Sequence, residues 1–163
     1  MTHAQESLSK LLEQSAGMLK WFVEDLKPAE WLHRPAPKAN CAAWLVGHLA
    51  LTDRRVLGML GATDLPALPE GFEQRFARDE SAPGATDFGD VSAILPVFEA
   101  NRAMLIKTVA GMSDDAISRP LEKPNPRFGE TIAHMLGFIN LHVALHAGQI
   151  TIIRRSLGYP PKV

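Results

Sequence analysis

The run HVALHAGQITIIRR, residues 142–155, decides how the rest of the chain is read. His142 and His146 stand four residues apart, one turn of an α-helix, so both imidazoles leave the same side. Counted at about 100° per residue from Ile132, Ile132, Met135, Leu136, Ile139, Val143, Ile150, Ile153 and Leu157 fall in one arc. That arc spans roughly 300° through 40°, with His142 near 280° and His146 near 320°. Both histidines therefore point with the core. A buried imidazole needs partners for its nitrogens. Either each one bonds a carbonyl or hydroxyl of a neighbouring helix, or the two share a metal ion with a further ligand from elsewhere.

Working outward, the same period recurs. Leu8, Leu11, Leu12, Ser15, Leu19, Phe22 and Leu26 place a first helix from about Thr2 to Leu26, ended by Lys27-Pro28. Ala29 to Lys38 holds two prolines and reads as a short turn plus extended loop. Asn40 is a candidate N-cap for a second helix, Cys41 to Leu60, with Gly61 as its stop. Leu45, Leu49, Val56, Met59 and Leu60 form its apolar face. Ala62 to Gly89 is the loosest part, with a short helix around Phe72 to Arg78. A third long helix runs from about Asp90 to Met112, with Pro96 in its first turns. Ser113 opens a proline-rich connection, and Phe128 to Thr131 starts a fourth helix that continues to about Leu157 and stops at Gly158 and Pro160. Val, Ile and Thr never alternate with polar residues over a strand's length, so no sheet is expected. The fold class is all-α: a four-helix bundle with long connections, one domain over residues 1–163.

Composition narrows the function. With 163 residues, 46% of them hydrophobic, the chain can bury a real core. A net charge of -1 without a lysine or arginine cluster argues against a nucleic-acid surface. One cysteine excludes an internal disulfide and suits a reducing cytosol. No apolar leader is visible, and no run approaches the ~20 apolar residues of a membrane span. A cytoplasmic protein with no membrane partner is the expectation.

A third ligand is sought among the remaining histidines, His3, His33, His48 and His134. His134 lies about 12 Å along the axis from His142 and some 80° round it, too far to share one ion. His3 is in a fraying terminus, and His33 is in a proline-flanked loop that could reach anywhere. His48 is fixed mid-helix, roughly 60° to one side of the apolar stripe, near Trp44, Leu51 and Arg55. Bundles build metal sites from side chains on facing helices. His48, His142 and His146 make a three-nitrogen set that leaves room for water or substrate on zinc or nickel. Val143 stands where a zinc protease helix carries its glutamate, so no such protease is implied and no general base is identified.

Asn40-x-x-x-Trp44-Leu45-x-Gly47-His48-Leu49-Ala50, followed by His142-x-x-x-His146-x-Gly148-Gln149-Ile150, resembles the DinB-like (YfiT-like) superfamily. Trp31-x-x-Arg34-Pro35-Ala36-Pro37 and Arg154-Arg155-x-Leu157-Gly158 fit it too, so the likeness spans nearly the whole chain. The resemblance implies a four-helix bundle, often a homodimer, with a divalent ion on the three histidines. Several relatives use that ion to activate a small thiol such as mycothiol or bacillithiol as transferases or isomerases. The expected function is a small-thiol-dependent S-transferase acting on an electrophilic substrate. The alternatives are a non-catalytic metal-binding or stress-related binding protein, or a metal-dependent hydrolase. This sequence departs from the pattern at Val143 and Leu145, where relatives often carry a polar residue or Glu.

Other residues have two readings each. Gln149 orients a ligand imidazole or water, or is an ordinary polar residue at a helix edge. Arg154 and Arg155 hold a substrate carboxylate, or complement the negative end of the helix dipole. Trp31 and Trp44 wall a pocket or simply pack. Cys41, about 10 Å along the axis from His48, is a packing residue. Leu141, Leu145, Ile152 and Phe138 form a second apolar stripe near 180–240°, behind the metal-facing one, which either serves the bundle or pairs with its copy across a two-fold axis.

Overall fold

The computed structural model describes residues 3–77 and 87–162. Four long helices carry the architecture: α1 (His3–Val23), α2 (Ala42–Met59), α4 (Ile94–Ala110) and α6 (Ile132–Ser156). Two single-turn helices, α3 (Phe72–Phe76) and α5 (Asp114–Ser118), lie in the connections, as do 3-10 turns at Pro28–Leu32 and Val91–Ala93. The four-helix bundle expected from the sequence is present. The short helix expected over Phe72 to Arg78 ends at Phe76, and Arg78 lies outside the described residues.

Helix directions follow from the two apolar clusters stacked along the bundle. One contains Leu19, Leu45, Leu49, Phe98, Val143 and Ile153. The other contains Leu12, Val56, Leu57, Leu105, Val109, Ile132 and Ile139. α1 and α6 thus run from the second cluster to the first, and α2 and α4 run the opposite way. The two most extensive packings, α2 on α4 and α1 on α6, are therefore between parallel neighbours. Parallel neighbours cannot be joined by a tight turn, which accounts for the long crossover between α2 and α4. The contact between α2 and α6 is the slimmest of the four sides, and the histidines lie on it.

α2 is enclosed along its first ten residues, Ala42 to Leu51, which are all buried and include no charged side chain. Gly47 is part of that enclosure. A methyl group there would overlap the Phe76 ring, so α3 seats directly on the α2 backbone. Deeper in the bundle Arg102 donates to both carboxylate oxygens of Asp53, at 2.7 and 2.9 Å, and also to Ser15 Oγ at 3.1 Å. Ser15 in turn donates to Asn140 Oδ1 at 2.9 Å, so one polar network pins all four long helices. Burial pushes the Asp53 carboxyl up, and the guanidinium opposes that shift.

Several expectations are corrected. Cys41, not Asn40, takes the N-cap position of α2, and no side chain caps that end. Leu11 and Met59, read as core, are 46% and 51% exposed. A two-stranded antiparallel hairpin, β1 (Pro120–Asn125) and β2 (Gly129–Thr131), precedes α6 where no sheet was expected. Pro120 and Pro124 disguised it, because proline is tolerated where a strand has an unpaired edge. α6 is also long and apolar enough to cross a membrane by length and composition, with a mean hydropathy of 1.4 in its most apolar window. The sequence expectation that no run approaches a membrane span is corrected to that extent. In the fold Ile132, Met135, Leu136, Ile139, Val143, Ile150 and Ile153 of that helix are buried against the other three.

Candidate metal centre

His48 projects from α2 across the slim side of the bundle toward His142 and His146 on α6. One ligand nitrogen from each of the three lies within 4.8 Å of the others. His142 Nε2 and His146 Nε2 are 2.9 Å apart, close to the ~3.3 Å edge of a tetrahedron built from zinc–nitrogen bonds. Ring centroids of His48 stand 5.2 Å from His142 and 5.4 Å from His146, nearly perpendicular to both. His48 and His146 are buried, and His142 is half-buried, so the cluster has one open side. Three nitrogen donors converging at a partly open position fit a divalent ion.

The rings are held from behind. His146 Nδ1 is 2.8 Å from Gln149 Oε1. An amide oxygen only accepts, so Nδ1 carries the proton there and Nε2 presents its lone pair to the cluster. Trp44, one turn before His48, stacks on it at 4.8 Å with planes 5° apart. Phe138, one turn before His142, stacks on it at 5.7 Å and 16°. Phe138 thus turns toward the site and against Phe128 of the hairpin, at 5.1 Å, instead of joining the outer stripe to which the sequence assigned it. The signal was available: on the helical wheel Phe138 sits only about 40° from His142.

The other candidates are placed elsewhere. His134 Nδ1 accepts from the Glu130 amide, and His33 Nε2 meets Ser156 Oγ at 2.9 Å. Trp31 is buried in the apolar cluster. Cys41 is fully buried, and burial pushes its thiol up, which suits the packing role read from the sequence. Arg154 sits in the last turn of α6, as the helix-dipole reading expects, but the carboxylate it holds belongs to the chain itself. It is 3% exposed, donates to both oxygens of Asp25 at 2.5 and 3.0 Å and to the Phe22 carbonyl at 2.8 Å, and so ties α6 to the end of α1. Arg155 is exposed.

Comparison with known proteins agrees with this architecture. The sequence profile described as the DinB superfamily matches residues 11–150, most of the chain. Among solved structures the chain is similar to YfiT from Bacillus subtilis, with a TM-score of 0.67 at 18% identity over 98% of this chain and 91% of that one. That protein is described as a probable metal-dependent hydrolase with an unusual four-helix bundle topology. No curated protein matches the sequence.

Proposed function

The chain belongs to the DinB superfamily, and from that premise we propose that it is a divalent-metal-dependent enzyme, a small-thiol S-transferase. The observation that carries this reading is the convergence of three histidine nitrogens within 4.8 Å at a partly open position. A divalent ion bound there, zinc or nickel, would supply Lewis acidity that lowers the pKa of a coordinated thiol or water.

The chain's own residues do the rest. His48, His142 and His146 would hold the cation as neutral donors, Gln149 fixes the tautomer of His146, and Trp44 and Phe138 hold the other two rings in plane. A stacked, partly buried set of this kind limits water around the reacting sulfur. Among the described residues no carboxylate belongs to the cluster. That favours an already ionised nucleophile over chemistry that needs a general base on the protein. A hydrolase is the second reading, supported by the description of the Bacillus subtilis relative. A cytoplasmic location fits the single cysteine, and the exposed stripe of Leu141, Leu145 and Ile152 fits a homodimer.

Two measurements test the proposal. Purified wild type carries about one divalent ion per chain by elemental analysis, and His146→Ala carries markedly less. The metal-loaded protein then consumes thiol in the presence of an electrophile panel, and the chelated protein does not. Equal metal in both proteins removes His146 as a ligand. Thiol consumption absent throughout, with metal bound, leaves a binding protein; ester or amide cleavage without thiol leaves a hydrolase.

A further inference from the structure

A cavity of about 310 Å³ opens on the surface of α2, lined by Leu51, Arg54, Arg55, Glu73 and Ala77. Its position follows from the helix itself. At about 100° per residue, Gly47 lies roughly 100° to one side of His48, and Arg55 only about 20° to that same side. Gly47 faces α3 through Phe76, and His48 faces α6 through His142 and His146. Arg55 therefore stands between the two neighbours, on the His48 side. It is about 10 Å further along the axis, and side chains seven residues apart on a helix share a face.

The two arginines of the cavity differ in what they are bound to. Arg54 donates to the Pro66 carbonyl at 2.5 Å and lies 3.8 Å from the Glu73 carboxylate, so it serves the connection between α2 and α3. Among the described residues Arg55 has no hydrogen-bond or ion-pair partner, and its side chain is exposed. Among the described residues, two guanidiniums against one carboxylate give the lining a net positive charge. A planar fork of donors beside an apolar wall, here Leu51 and Ala77, matches a carboxylate on a short carbon chain.

We infer that this cavity is a carboxylate-binding site in which Arg55 anchors the acid end of a small molecule whose other end reaches the three histidines. The second half rests on the metal-centre reading above; the first does not. It narrows the substrate or thiol class to acids, and makes Arg55 a specificity-determining residue that touches the substrate remote from the reacting atoms.

The first test needs no metal. Protein labelled with 15N at arginine Nε is titrated with glutarate, and the Arg55 signal is identified by its loss in Arg55→Ala. That signal moves to saturation; an Arg55 signal that does not move overturns the proposal. The second test uses cobalt-loaded protein and two probes of equal length, 3-mercaptopropionate and 3-mercaptopropan-1-ol, followed by the visible cobalt bands. Wild type binds the acid roughly tenfold more tightly than the alcohol, as one charge-assisted pair supplies. Arg55→Ala binds the two alike, at unchanged cobalt content. A wild type that does not discriminate, or a preference that survives in Arg55→Ala, overturns the link between cavity and histidines. Protein that takes up no cobalt while its Arg55 signal still saturates with glutarate ends the metal reading and keeps the carboxylate site.

Discussion

At the scale of single residues, His146 has a different duty at each ring nitrogen. Nε2 faces the cluster, and Nδ1 is held by Gln149 Oε1 at 2.8 Å. Gln149 is itself exposed, so its removal leaves no cavity in the core. Gln149→Ala therefore folds as well as wild type but weakens metal binding by roughly 10- to 100-fold, the usual cost of losing such a support. Competition with a chromophoric chelator measures this. Gln149→Glu keeps the acceptor and restores most of the affinity. Unchanged affinity in the alanine variant would show that the imidazole needs no orienting partner.

At the scale of elements, the weakest seam to predict from sequence is the parallel pair α1 and α6, and Asp25 closes it. The Arg154 guanidinium, with help from Lys162, holds the Asp25 carboxyl at about 2, below its ordinary 3.8. In the fold it stays ionised down to that pH, whereas in the unfolded chain it takes up its proton near 3.9. Its contribution is complete above about pH 4 and disappears as pH falls toward 2. Asp25→Asn lowers stability at pH 7 by roughly 1–2 kcal/mol, a value discounted because Asp25 is 42% exposed. Urea melts at pH 7 and at steps between pH 4 and 2 test both parts. Wild type should lose stability across that window more steeply than the variant; parallel curves would mean that Asp25 is not the titrating group.

At the scale of the whole molecule, α6 presents Leu141, Leu145 and Ile152 to solvent at 69%, 63% and 59% exposure. Three large apolar side chains on one helix face form a liability unless something covers them. A second copy packing the same stripe about a two-fold axis would do so with a self-complementary surface. Leu145→Glu puts a charge at the centre of that stripe without touching the histidines. Sedimentation should move from dimer to monomer at wild-type metal content. Wild type that already sediments at 17.8 kDa at micromolar concentration would end this proposal.

Whatever depends on periodicity along one helix was determined by the sequence alone. The four long helices, the buried face of α6 and the shared side of His142 and His146 are of this kind, because a 3.6-residue repeat sets which side chains share a face. Pairings between distant segments were not; that His48 of α2 meets those two histidines was decided by packing. Nothing local joins Arg154 to Asp25, or Arg102 to Asp53. The parallel order of neighbours, the proline-bearing hairpin and the turn of Phe138 toward His142 were likewise decided by packing. In each case the energy lies in a contact between elements, and only the tertiary structure says which elements touch.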